Sequence, residues 1–149
     1  MSAGGDPARR RRVEGVGSLL AAVYALFAVA AGARSLFQIA SRFDEAPVAY
    51  SLSAVAAVIY GAAAVCFARP SAVSYRAAIA FLTIELAGVL AVGALSVADP
   101  DLFPDETVWS DFGAGYGFIP LVLPVAGLAW LVRGRTRREW EDAGADPPA

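Results

Sequence analysis

Apolar residues in this chain fall into four long runs, and charged residues occur mainly in the short blocks between them. The first run covers about residues 16–33, with 35–40 as a possible continuation, and the others cover about 47–68, 77–98 and 112–132. At a rise of about 1.5 Å per residue, each run is long enough for a helix to cross roughly 30 Å of hydrocarbon. The pattern therefore predicts an all-α polytopic membrane protein, a four-transmembrane-helix bundle.

Prolines beside charged residues mark several of the predicted helix ends. Pro47 lies where a proline in the first turn of a helix is tolerated, and Pro70 and Pro100 follow the second and third runs. The predicted division is a basic tail (1–14), a membrane domain (15–132) and a second tail (133–149). This leaves no room for a separate soluble domain.

Composition supports a membrane protein and excludes several chemistries. Hydrophobic residues make up 58% of the chain, against about 45–50% in soluble domains, and the mean hydropathy is +0.56. With no histidine and one cysteine, the usual zinc, haem and Cys–His sites are excluded. The sequence also lacks a glycine-rich phosphate-binding motif. We therefore expect no cofactor, no metal and no catalytic residue.

The basic residues are distributed unequally between the two predicted faces. If the N-terminus is cytoplasmic, only Arg34 and Arg42 of the 12 basic residues fall in outer loops. Because short cytoplasmic loops are enriched in arginine, both termini are predicted to be cytoplasmic. The residues taken to determine this topology are Arg9, Arg10, Arg11, Arg12, Arg133, Arg135, Arg137 and Arg138. Their position beside the spans favours contact with anionic lipid headgroups over binding of nucleic acid.

The first run also has features of a secretory signal peptide. A basic segment precedes it, and the small residues Ala31-Gly32-Ala33 imitate a cleavage site. Its apolar stretch of about 18 residues is longer than the usual 7–15 or so, and cleavage would leave three spans. Retention of the first span is therefore the prediction, and a mature chain that begins at Arg34 is the alternative.

Glu85 lies near the middle of the third apolar run and is expected deep in the lipid. Since a charge at the bilayer centre costs at least about 2.5–3.5 kcal/mol, such a group usually faces the bundle interior and is neutral or paired. Gly88, one turn away, would let another helix approach closely. Glu85 is either a protonated hydrogen-bonding group, with Tyr24, Ser53 and Tyr60 as candidate partners, or a carrier of protons or ions.

Two prolines, Pro120 and Pro124, lie four residues apart in the fourth run. Each removes a backbone donor, which would leave the carbonyls of Tyr116 and Pro120 without their usual helical bonds. Pro124 is predicted at a depth similar to that of Glu85, so a protonated Glu85 could donate to a freed carbonyl. A simple proline kink is the other interpretation.

The predicted outer loop, residues 99–118, combines acidic and aromatic side chains. Its carboxylates could bind a hard cation, but their spacing lacks the EF-hand pattern. Its aromatic residues are typical of an interfacial belt, which predicts that the loop lies against the membrane surface. These residues are Phe103, Trp109, Phe112, Tyr116 and Phe118.

Three stretches resemble small uncharacterised integral membrane proteins of actinobacteria. They are SLFQIASRFDEAP (35–47), ELAGVLAVG (85–93) and DPDLFPDETVWSDFG (99–113). The resemblance covers roughly residues 15–132. Since that group has no assigned activity, the resemblance implies only the class of protein and transfers no site.

Two functions are compatible with these patterns. The favoured one is a non-enzymatic protein of the cell membrane that acts through helix packing, as an accessory subunit or a homo-oligomer. The small-residue pairs Ala57 with Gly61 and Ala28 with Gly32 are its predicted contact points. The alternative is a small proton- or cation-coupled transporter that uses Glu85.

Overall fold

The computed structural model describes residues 7–145, without the side chains of Arg9, Arg10, Val13 and Arg135. Every regular element in this range is helical. The α-helices are α1 (Pro7–Arg42), α2 (Pro47–Ala68), α3 (Ala72–Ala98), α4 (Ile119–Leu131) and α5 (Gly134–Ala143). Three short 3₁₀ helices are Phe43–Glu45, Pro100–Leu102 and Ser110–Tyr116. The predicted all-α class is therefore confirmed for the described residues.

Three segments are long and apolar enough to cross a membrane: Glu14–Glu45, Pro47–Ala68 and Ala72–Ala98. A fourth candidate is a bent pair, in which the 3₁₀ helix Ser110–Tyr116 and α4 meet at 99°. Residues 7–145 thus contain three helices that could span a membrane, or four if the bent pair counts as one span.

The ends of the long helices follow from local chemistry. Pro47 opens α2, where its missing N–H would have had no helical partner. The Ser71 hydroxyl caps α3 by accepting a 3.0 Å hydrogen bond from the backbone N–H of Ser74, and α3 ends just before Pro100. α1 begins at Pro7, inside the predicted basic tail, and includes the possible continuation at residues 35–40, since it ends at Arg42. Because the links between α1, α2 and α3 are short, successive helices run antiparallel.

The segment predicted as the fourth span, residues 112–132, is not one continuous helix. Gly113 and Gly117 have φ angles of +81° and +64°, and Phe118, just before α4, has a φ of 60°. These left-handed conformations interrupt a right-handed helix. α4 itself has 13 residues, a length of about 20 Å, which is less than the roughly 30 Å hydrocarbon thickness.

Small residues bring α1 and α2 close together. A Cβ atom added at Gly32 would lie 3.8 Å from the Cβ of Ala57, and one added at Gly61 would lie 3.9 Å from the Cβ of Ala28. The two predicted small-residue pairs therefore meet each other within one chain. All four residues are half-buried, and part of their surface is used in this contact between α1 and α2.

The described part of the predicted C-terminal tail packs on the bundle. Trp140 of α5 is 2% exposed and contacts Phe67, Tyr75 and Trp130 at centroid distances of 5.7, 6.2 and 6.3 Å. α5 thus lies across the end of the bundle where α2 ends and α3 begins. Residues 1–6 and 146–149 of the predicted tails lie outside the described residues.

Candidate functional site

Glu85 lies on the buried face of α3 and has no exposed surface. The hydroxyl of Tyr24, on α1, donates a 2.8 Å hydrogen bond to its Oε2 atom. Its Oε1 atom is buried and has no hydrogen-bond partner among the described residues. The two ion pairs found within residues 7–145 are Arg42 with Glu45 and Arg137 with Glu141, and neither involves Glu85. Because an isolated charge is costly to bury, this geometry suits an uncharged carboxylic acid.

Aromatic rings surround the bond between Glu85 and Tyr24. The Tyr24 ring stacks on Phe67, with centroids 5.8 Å apart and planes at 10°, and its centroid is 6.1 Å from that of Tyr60. The Tyr60 hydroxyl accepts a 2.9 Å hydrogen bond from Nε1 of Trp109. Of the three partners proposed from sequence for Glu85, Tyr24 is therefore the one that forms the bond.

Gly88 provides the space that Trp109 occupies. A Cβ atom added at Gly88 would lie 2.7 Å from Cζ3 and 2.9 Å from Cη2 of the indole ring. Sequence analysis predicts the approach of a helix at this glycine, whereas the structure places a loop side chain there. Trp109 is only 4% exposed, so its ring packs inside the protein and not on the outer surface that an aromatic belt would use.

We use the name return segment for residues 103–118, which fold back against α3. A Cβ atom at Gly93 would lie 2.5 Å from Cδ1 of Phe112 and 2.8 Å from its backbone nitrogen. The backbone N–H of Asp111 donates a 2.8 Å hydrogen bond to the Ser96 hydroxyl. Asp111 and Phe112 have φ angles of 49° and 59°, a conformation that costs of order 1–3 kcal/mol per residue and persists where surrounding contacts impose it.

The return segment is also bonded to α1 and α2. Oδ2 of Asp105 accepts hydrogen bonds from Nε2 of Gln38, at 3.3 Å, and from the hydroxyl of Tyr50, at 3.0 Å. The Ser53 hydroxyl accepts a 3.3 Å hydrogen bond from the backbone N–H of Val108. The segment is therefore held by all three long helices and covers one end of the bundle above Glu85.

The two prolines of the fourth run have different places. Pro120 lies in the first turn of α4, whereas Pro124 is inside the helix, and both are fully buried. Because Tyr116 belongs to the 3₁₀ helix before α4, Pro120 does not free its carbonyl from an α-helix. No hydrogen bond joins Glu85 to α4 in the described structure. The contact proposed between them is replaced by the bond to Tyr24.

The arginines predicted to set the topology cluster where α1 begins and α4 ends. The side chains of Arg11, Arg12, Arg133, Arg137 and Arg138 are exposed. Those of Arg9, Arg10 and Arg135 lie outside the described residues. At the opposite end, Arg34 donates a 2.8 Å hydrogen bond to the hydroxyl of Tyr116. Within residues 7–145 no acidic residues are grouped closely enough to hold a metal ion.

Sequence analysis missed Trp109 and Asp105 as parts of this site. The available signal is the pair Gly88 and Gly93 on the buried face of α3, which leaves room for side chains without indicating what fills it. Comparison with known proteins adds no assignment, since no protein-family model, no curated protein and no solved structure matches the chain. The resemblance to actinobacterial membrane proteins therefore stays a prediction.

Proposed function

We propose that this chain is an integral protein of the cell membrane, with four crossings and both termini in the cytoplasm. Large apolar side chains are exposed along the long helices, among them Val29 at 70%, Leu36 at 70% and Val58 at 72%. Acyl chains cover such surfaces, whereas in water they would promote association. The bent pair formed by Ser110–Tyr116 and α4 supplies the fourth crossing, and the arginine bias supplies the orientation.

Within the membrane the protein has a non-enzymatic role, as an accessory or self-associating component that acts through helix packing. The enclosure of Glu85 carries this proposal. An uncharged carboxyl bonded to Tyr24 and packed among rings links α3 to α1, as interhelical hydrogen bonds do in membrane bundles. Because Gly32 and Gly61 are used inside the chain, association with another protein uses the outer apolar faces of the helices.

Cysteine labelling tests the topology. In a Cys66→Ala background, Asp101→Cys and Ala145→Cys place single thiols at exposed positions near opposite ends of the bundle. A membrane-impermeant maleimide should label Asp101→Cys in intact cells and Ala145→Cys only after permeabilisation. The reverse pattern, or labelling of both positions from outside, contradicts the proposed topology.

The second candidate function is a small proton- or cation-coupled transporter that uses Glu85. Two observations favour it: Oε1 of Glu85 has no partner among the described residues, and Phe67, which stacks on Tyr24, also lines a cavity at the arginine-rich end of the bundle. Phe67 therefore contacts both that cavity and the ring of Tyr24. Displacement of Phe67 would open the Tyr24 ring, whose hydroxyl is bonded to Glu85, to the cavity.

Infrared difference spectroscopy separates the two candidates. Spectra of the wild type and of Glu85→Gln are compared between about pH 5 and about pH 9, a range across which an accessible carboxyl titrates. For the packing role, a carboxylic acid band assigned by its loss in Glu85→Gln should be the same at both pH values. A band that disappears at high pH in the wild type contradicts a permanently uncharged Glu85 and supports transport.

A further inference from the structure

A cavity of about 680 Å³ opens at the arginine-rich end of the bundle, between the start of α1, the α2–α3 turn, the end of α4 and α5. Its volume lies within the range of about 300–1,000 Å³ found for small-molecule sites. Phe67, Trp130 and Trp140 are among the residues that line it. Phe67 and Trp140 are each 2% exposed and hence fixed by packing, while Trp130 is only half-buried.

The three rings form one aromatic cluster. Phe67 meets Trp140 edge to face at a centroid distance of 5.7 Å and an interplanar angle of 86°. Trp130 lies 6.1 Å from Phe67 and 6.3 Å from Trp140. Clusters of differently oriented rings bind organic cations, because the face of each ring carries partial negative charge.

Carboxylates from two helices complete the lining: Glu14 from α1, and Glu139 and Asp142 from α5. None of their side chains forms an ion pair or a hydrogen bond with a described residue. No basic side chain is among the described residues that line the cavity, although most of the described arginines lie at this end of the bundle. The described lining of the cavity is therefore acidic, and the surrounding end of the bundle is basic.

The spacing of the carboxylates indicates the size of the cation. No group of three acidic residues within residues 7–145 is close enough to hold a metal ion, so a small inorganic cation would contact few of these oxygens. A cation with an apolar body can instead fill the cavity, contact the rings and lie near separated carboxylates. An anionic ligand would be repelled by all three.

We propose that this cavity binds an organic ammonium ion, either an amine or a quaternary ammonium group that carries an apolar substituent. Its positive charge lies against Trp130 and near the carboxylates of α1 and α5. The ammonium group comes either from an amine-bearing lipid headgroup or from a free organic cation. Neither Glu85 nor Tyr24 lines the cavity, so a failure of this binding test leaves the proposed packing role of Glu85 standing.

Fluorine NMR on full-length protein labelled with 5-fluorotryptophan tests the proposal. The chain has three tryptophans, of which Trp130 and Trp140 line the cavity and Trp109 does not. The protein is placed in nanodiscs of phosphatidylglycerol, which has no amine, and titrated with benzyltrimethylammonium. The resonances of Trp130 and Trp140 should shift saturably while that of Trp109 stays constant.

Charge variants and a neutral ligand give the decisive comparison. The double variant Glu139→Gln/Asp142→Asn should weaken binding by about tenfold, a loss typical of removing charge partners from a partly buried cation. Glu141→Gln is the matched control, since Glu141 is on the same helix, pairs with Arg137 and does not line the cavity. Neopentylbenzene, the uncharged isostere of the probe, should not produce the saturable shift.

A second lipid identifies the source of the ammonium group. If phosphatidylethanolamine in the nanodisc competes with the probe, the ammonium group comes from a lipid headgroup. If this lipid does not compete, the natural ligand is a free organic cation. Equal binding by the wild type and the double variant, equal binding of the uncharged isostere, or no saturable shift overturns the proposal. If the Trp109 resonance shows that the double variant is misfolded, Glu14→Gln, on a different helix, replaces it in the comparison.

Discussion

The bond between Tyr24 and Glu85 can be tested by a double-mutant cycle on the free energy of unfolding. Tyr24→Phe removes one hydroxyl and keeps the ring that stacks on Phe67 at 5.8 Å. Glu85→Leu replaces the carboxyl with an apolar group of similar size. The combined variant removes both polar groups, so that neither is left in the bundle without its partner.

The expected magnitude follows from the burial of both groups. After Tyr24→Phe, both oxygens of Glu85 lack partners among the described residues, at a site with no exposed surface. An unpaired buried acceptor costs about 1–3 kcal/mol, and interhelical hydrogen bonds in membranes contribute about 0.6 kcal/mol on average and up to about 1.7. We therefore expect Tyr24→Phe to cost about 1–2 kcal/mol, with a coupling energy of about 0.6–1.7 kcal/mol between the two substitutions.

Reversible unfolding by SDS in mixed micelles, followed by circular dichroism, measures these values. Tyr75→Phe is the matched control, because that hydroxyl donates to the carbonyl oxygen of Leu131 at 3.1 Å and shares no partner with Glu85. Its cost should add to that of Glu85→Leu within about 0.5 kcal/mol. If the costs of Tyr24→Phe and Glu85→Leu also add within about 0.5 kcal/mol, the hydrogen bond between the two side chains does not stabilise the bundle, and the reasoning is refuted.

Two further predictions concern the return segment. Gly88→Ala should destabilise the fold by about 1–3 kcal/mol in the same assay, because its new methyl group overlaps the indole ring of Trp109 at 2.7 Å. The control Gly61→Ala has its nearest contact at 3.9 Å and should cost less than about 0.5 kcal/mol. Equal costs for the two variants would contradict the packing of Trp109 on Gly88. Asp105→Ala removes the acceptor of two side-chain hydrogen bonds and should accelerate amide hydrogen exchange in residues 105–110. The control Asp101→Ala changes an exposed residue and should leave this exchange unchanged. Unchanged exchange in both variants would show that Asp105 does not hold the return segment.

Hydropathy and helix-terminating residues account for most of the predictable fold. A long apolar run with Pro47 at its start and Pro70 just beyond its end specifies a helix from local properties alone, and α2 has those limits. α1 continues to Arg42 because no proline or glycine pair interrupts the polar residues after the apolar run. The interruption before α4 depends on left-handed residues such as Phe118, whose conformation the sequence alone does not specify.

The candidate site was predictable only where local properties of the sequence determine it. The cost of a charge in lipid predicts that Glu85 is buried, and the cost depends only on residue type and depth. The arrangement of Trp109 depends instead on space at Gly88 and on a hydroxyl acceptor at Tyr60, 49 residues earlier in the chain. Hydrophobic periodicity does not encode such distant pairs, so the sequence alone predicts Trp109 as part of an interfacial belt.

The attachment of the return segment to α1, α2 and α3 has a consequence for biosynthesis. Its partners on all three helices precede it in the chain, so the ribosome releases the whole docking surface before the segment itself. The hydrogen bonds that attach the segment to those helices span from 15 to 82 residues, so they form only after the helices have associated. Docking of the return segment is therefore a late step of assembly, and a protease that cleaves the segment before it docks should distinguish newly made chains from mature ones.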